Sequence, residues 1–115
     1  SGEAGFLLGR ARELLQQWEG AIEAYRRAST DGPYRAAALA GVARMQLLKG
    51  YPREALGFAA LSIQAGDRAE AYLVRGRAHL ELGNLGEGRA DLQAAVRRDP
   101  SLAAEARRLS DLYAR

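Results

Sequence analysis

Apolar residues along this chain recur every three to four positions rather than every two, the spacing of helices with one buried face. Short polar or glycine-containing breaks cut the pattern into helical stretches, expected at about 3–16, 19–30, 35–49, 52–65, 68–82 and 86–98. The punctuation agrees with these limits. Gly50 and Gly83 stand at the ends of first helices, Pro52 at the start of a second, and Gly32-Pro33 and Asp99-Pro100 close second helices. Asp67, after Gly66, is expected to cap the following helix. A last segment opens on a capping Ser101, with Leu102, Ala106, Leu109 and Leu112 on one face and Glu105, Arg108, Asp111 and Arg115 on the other.

The pattern also repeats. Gly9, Ala43 and Gly76 are separated by 34 and 33 residues, and so are Ala21, Ala55 and Gly88, and Ala28, Ser62 and Ala95. Three independent series with the same two spacings mark a repeating unit about as long as one helical hairpin. Small residues in the paired helices would let the backbones approach closely. Trp18, Tyr25, Tyr51, Phe58, Tyr72 and Leu92 are then the expected space-fillers, worth roughly 1.5–3 kcal/mol each when buried. No hairpin buries its own apolar stripe, so stability must come from neighbouring units and from a capping helix with one polar side.

These residues resemble the tetratricopeptide repeat, a helical hairpin with small residues at fixed places and often a closing proline. The first unit carries Leu8, Gly9, Ala21, Tyr25, Ala28 and Pro33; the second, Val42, Ala43, Gly50, Ala55 and Ser62; the third, Tyr72, Gly76, Gly83, Leu92, Ala95 and Pro100. The resemblance implies an all-α, right-handed superhelix of three hairpins, at about 2–35, 36–68 and 69–102, plus a capping helix at about 102–114, together one domain. Three departures stand out: Gly5 replaces an aromatic, Gln16 replaces a turn glycine, and the second unit is one residue short without a proline. The first helix is therefore expected to fray or to belong to a longer array. The related pentatricopeptide repeat reads RNA bases through paired polar residues, and no such regular pairs occur here.

In proteins similar to this one, the first helices line a concave groove that takes a peptide or helix of a partner. The family register places Glu3, Phe6, Arg10 and Glu13 there, flanked by Leu7 and Leu14; then Ala37, Ala40, Arg44 and Leu47, flanked by Gly41 and Leu48; then Glu70, Leu73, Arg77 and Leu80, flanked by Val74 and Glu81. Arg10, Arg44 and Arg77 form a ladder expected to orient an acidic segment, with Phe6, Leu47, Leu73 and Leu80 supplying apolar burial. Alternatively, the arginines extend into water or pair with Glu13 and Glu81. Chaperone-binding members clamp a C-terminal carboxylate with Lys, Asn and Arg, whereas Phe6, Gly41, Glu70 and Val74 hold most of those places here.

Composition narrows the alternatives. The chain has 115 residues, 48% hydrophobic and 27% charged, which is ordinary for one globular domain. It shows neither a signal peptide nor an apolar run long enough to span a membrane. With no cysteine it has no thiolate nucleophile and no sulfur metal site. His79, the one histidine, lacks ligating company and is expected to pack between helices. No catalytic residue, cofactor or metal is expected. The formal charge of +3 is small, and basic pairs such as Arg97-Arg98 and Arg107-Arg108 suit helix ends better than a nucleic-acid footprint. Glu23 with Arg26 and Arg27 reads as a solvated face, and Trp18 as packing at a turn. The chain does not begin with Met, and Ser1-Gly2 reads as a cloning remnant, so a longer parent protein is expected. Abundant Arg, Ala and Gly suggest a bacterial cytoplasmic setting. The reading is an interaction scaffold or adaptor for another protein; the alternative is a structural segment of a longer solenoid, or a self-associating homo-oligomer.

Overall fold

The computed structural model describes residues 1–114 and so leaves Arg115, expected on the polar face of the last helix, outside the described residues. Helical periodicity becomes α1 (Gly2–Leu14), α2 (Trp18–Ala28), α3 (Gly32–Leu48), α4 (Pro52–Gly66), α5 (Ala69–Glu81), α6 (Leu85–Arg98) and α7 (Ala103–Leu112), with a 3-10 turn at Pro100–Leu102 before α7. Among the described residues no strand occurs. Three hairpins, α1–α2, α3–α4 and α5–α6, pack in sequence, and each first helix also touches the next, α1 to α3, α3 to α5 and α5 to α7. The result is an all-α solenoid 43 × 25 × 22 Å, closed at one end by α7.

Each hairpin turn is built alike. Gln16, Gly50 and Gly83 have φ of +60°, +90° and +84°. The next residue's N–H in each case reaches back five positions: Gln17 to Arg12, Tyr51 to Gln46 and Asn84 to His79, at 2.8–2.9 Å. These are the paired bonds of a left-handed helix C-terminus, which glycine adopts freely and glutamine only at a cost. The turn forms without its glycine, and α1 is regular from Gly2, where the Ser1 hydroxyl accepts the Ala4 N–H at 3.2 Å. The expected fraying of α1 is therefore corrected.

Apolar burial crosses the hairpin boundaries. One cluster joins Ile22 and Tyr25 of α2 to Val42 and Met45 of α3; a second joins Leu47 and Ala59 to Val74 and Ala78; a third joins Leu80 and Leu92 to Ala106 and Leu109. Two tight places show what small residues do. A Cβ on Gly9 would lie 2.6 Å from the Tyr25 ring, and one on Gly41 would lie 2.7 Å from the opposite edge, so the two glycines form a slot for that ring. In the third hairpin a Cβ on Gly76 would stand 3.0 Å from the Gly88 carbonyl, a backbone approach only small residues permit.

Several local expectations are corrected. Asp67 does not cap α5: it ends α4 with φ of +46°, and its carboxylate accepts hydrogen bonds from the Tyr72 hydroxyl at 2.6 Å and Arg98 Nε at 3.2 Å. Ser101 lies inside the 3-10 turn, which Asp99 caps by accepting the Ser101 N–H at 3.0 Å. Tyr51 is 47% exposed beneath the Lys49 ammonium, and Tyr72 is half-buried between the Arg75 and Arg98 guanidinium groups, so neither is a core filler. Leu112 is exposed because α7 ends there, and Tyr113 packs on the third cluster instead.

Candidate functional site

The first helices align their inner faces along one groove of about 690 Å³, and α7 forms its far wall. Eight of the residues assigned to this face or its edge by register come together in it: Arg10, Glu13, Arg44, Leu47, Glu70, Leu73, Val74 and Arg77. Their origin is simple, since positions three to four apart on parallel-stacked helices share a side.

The other assigned residues do not line it. Leu80 is only 3% exposed: α6 and α7 cover it, and it packs on Leu92 and Leu109. Ala40 is fully buried, and Ala37 is half-buried. Phe6 lies half-buried, its ring centroid 5.8 Å from both Tyr25 and Tyr34, while Glu3 accepts the Tyr34 hydroxyl at 3.1 Å. Leu14 and Leu48 are exposed and do not line the groove, and Glu81 is half-buried and accepts Arg77 Nε at 3.1 Å.

The three ladder arginines share the groove yet differ in chemistry. Arg44 donates to both oxygens of Glu13 at 2.7 Å, and it also donates to Glu70. The Tyr25 hydroxyl donates to Glu13 at 2.7 Å, so one carboxylate ties α1, α2 and α3 together through Arg44. Burial alone would raise the Glu13 pKa, but hydrogen bonds from Arg44 and Tyr25 outweigh it and hold it below the usual carboxylate range. Burial and the same bond push Tyr25 upward, and against the penalty of burial the Glu13 bond raises Arg44. Arg77 is bound to Glu81, whereas Arg10 makes no ion pair or hydrogen bond among the described residues and lies 6.0 Å over the Phe6 ring.

Register alone missed other lining residues. Asp67, Arg68, Arg98 and Asp99 reach the groove from between hairpins, and Leu102, Glu105 and Leu109 from the capping segment. The spacing of the last three repeats that of Glu70, Leu73 and Arg77, a signal that extending the register would have caught. Five arginines and five carboxylates therefore line the groove, with half-buried Leu73 and Leu102 as its accessible apolar contacts over the buried Leu47, Val74 and Leu109. His79 packs as expected, its Nδ1 3.2 Å from the Asn84 amide and its Nε2 3.9 Å from Asp91. Asp91 itself, buried, receives Arg75 Nε and Nη2 at 2.8 and 2.9 Å, a pair that sequence reasoning did not find. Donating these hydrogen bonds to Asp91 raises the Arg75 pKa.

Among the described residues no helix is long and apolar enough to cross a membrane, and no three His, Cys, Asp or Glu side chains are grouped to hold a metal.

Stacked helical hairpins with a shared inner groove define a helical-repeat solenoid. Two family models, each described as tetratricopeptide repeat, match residues 3–30 and 69–102, together more than half of the chain. The chain belongs to the tetratricopeptide repeat family. Among solved structures it is similar to the first TPR domain of Spaghetti (RPAP3) bound to an HSP90 peptide, SRMEEVD. That match has a TM-score of 0.83 and 19% identity, and it covers 99% of this chain and 94% of the other, a likeness of fold. No curated protein sequence matches the chain.

Proposed function

We propose that residues 1–115 act as one interaction domain, with hairpins at about 2–35, 36–68 and 69–102 and a cap at about 102–114, that takes a partner's peptide or helix into its concave groove. The observation that carries this is a groove lined jointly by all three first helices and α7, with apolar contacts set among charges. A micromolar complex needs about 8 kcal/mol. Exposed Arg–carboxylate pairs supply about 0.2–1 kcal/mol each, so burial against the half-buried Leu73 and Leu102 must dominate, with charge selecting the ligand.

The arginine ladder is redistributed in this reading. Arg44 is satisfied by Glu13 and Glu70 and serves the fold; Arg10 and Arg68, which line the groove without ion pairs among the described residues, orient an acidic segment. The peptide of the solved neighbour is not carried over. Glu70 stands at one of the places where chaperone-binding relatives hold a clamp residue, and its carboxylate would repel a ligand's terminal carboxylate. The same reading assigns the domain no catalysis, in keeping with a family of interaction modules. End-to-end self-association is the second reading, favoured by Leu8, Leu14 and Leu15 of α1 and its turn, which are 42%, 80% and 67% exposed.

The test is calorimetric titration of acidic, basic and neutral peptides into the wild type, a Leu73→Ser variant and an Arg10→Ala/Arg68→Ala variant, all shown by circular dichroism to be folded. Capture of acidic peptides, weakened by each variant and by salt, is expected. Binding indifferent to both variants would remove the groove from consideration, and a dimer at working concentrations would turn the reading toward self-association.

A further inference from the structure

A second groove lies on the other side of α7. Val96 of α6 and Ala103 of α7, above the buried Leu92 and Ala106, form its floor, Arg89, Arg97 and Arg107 its rim, and its volume is about 460 Å³. Unlike the concave groove, with five carboxylates for its five arginines, this one has no carboxylate in its lining. None of the three rim arginines makes an ion pair or a side-chain hydrogen bond among the described residues; Arg10, Arg26, Arg53 and Arg68 share that state, but only these three surround the apolar floor of this groove. Helix-end stabilisation accounts for Arg98, which donates to the Ala94 carbonyl at 3.0 Å. It does not account for Arg89 in mid-helix or for Arg107 on the next helix.

We propose that this α6–α7 groove is a second docking surface, for an amphipathic helix of another protein whose apolar stripe is flanked by Glu or Asp. A furrow between two packed helices accepts a third helix, ridge into groove, with anchors at three- to four-residue spacing. From Arg89 to Arg97 α6 rises about 12 Å, so the floor meets two to three partner turns. Apolar burial provides the contact and the uncompensated arginines select the sign of the flanking charge. Charge complementarity thus specifies an acidic protein helix. No aromatic ring lines the groove, so it lacks the stacking platform a single-stranded nucleic acid uses. The proposal does not depend on what the concave groove binds.

Two fluorescent helical peptides with identical leucine stripes, one flanked by Glu and one by Lys, are titrated by polarisation into the wild type and an Arg89→Glu/Arg97→Glu/Arg107→Glu variant. The three exposed substitutions leave the core intact, which circular dichroism checks. The Glu-flanked peptide is expected to bind the wild type, to lose at least about fivefold in affinity with the variant, and to weaken with salt. The Lys-flanked peptide is expected to show the reverse preference. Amide shifts in nuclear magnetic resonance spectra should fall on α6 and α7 and be unchanged by Leu73→Ser. Equal binding of both peptides, shifts confined to the concave groove, preference for an RNA oligonucleotide, or a dimer abolished by the triple substitution would each overturn the proposal.

Discussion

Replacing Arg44 with Met tests whether the groove's central arginine holds the fold rather than a ligand. Methionine keeps the aliphatic stem but leaves Glu13 and Glu70 facing each other without their cation. The Arg44 and Glu13 side chains are 25% and 20% exposed, between the surface and buried limits. A surface pair is worth about 0.2–1 kcal/mol, whereas stripping one partner from a buried pair costs about 3–5 kcal/mol. Two bonds to Glu13 and a third to the more exposed Glu70 therefore place Arg44→Met at about 2–3 kcal/mol. With unfolding entropy near 2.1 cal/mol/K per residue, a chain of this length should lose about 8–12 °C in Tm. Urea unfolding followed by circular dichroism measures the same quantity at constant temperature. In the double variant with Glu13→Gln the costs should fall short of additive by about 1–2 kcal/mol, because the second change removes a carboxylate already stranded. An Arg44→Met protein within about 0.5 kcal/mol of wild type, or strictly additive costs, would refute the assignment.

Two more perturbations read the same packing. The folded-state pKa of Glu13 is depressed, so its contribution is complete above the ordinary carboxylate pKa of 4.5 and is lost as pH falls through the lower, folded value. Urea midpoints taken downward from neutrality should therefore fall less steeply below pH 4.5 in Glu13→Gln than in wild type, and parallel profiles would count against the coupling. Gly41→Ala should cost about 1–3 kcal/mol, because the Tyr25 ring it would strike is held on its other edge by Gly9. Gly57→Ala, in mid-α4 with no atom within 4 Å of a new Cβ, should instead gain about 0.5–1 kcal/mol. Opposite shifts in thermal midpoint check the pair, and a harmless Gly41→Ala would show that the slot is looser than its distances imply.

The sequence by itself determined the repeat, the six hairpin helices and the family, because helical period, turn chemistry and small-residue spacing are local and recur with each unit. It also assembled about half of the concave groove: Arg10, Glu13, Arg44, Leu47, Glu70, Leu73, Val74 and Arg77 share a face by periodicity, and the structure brings them to one. What the tertiary structure decided was how equivalent positions become unequal. Arg44 meets Glu13 of the preceding unit's first helix and Glu70 of the next unit's, but the residue equivalent to Glu13 one unit later is Leu47, so Arg77 has no such partner and turns to Glu81 on its own helix. Leu80, at the same place again, is covered by α6 and α7 and leaves the groove altogether. Arg89, Arg97 and Arg107 look like ordinary surface charges in the sequence; only the packing of α7 on α6 sets them around one apolar floor. A repeat fixes each residue's place on its own helix, whereas the side chains that neutralise or cover it come from neighbouring helices, whose register is set only when the stack forms.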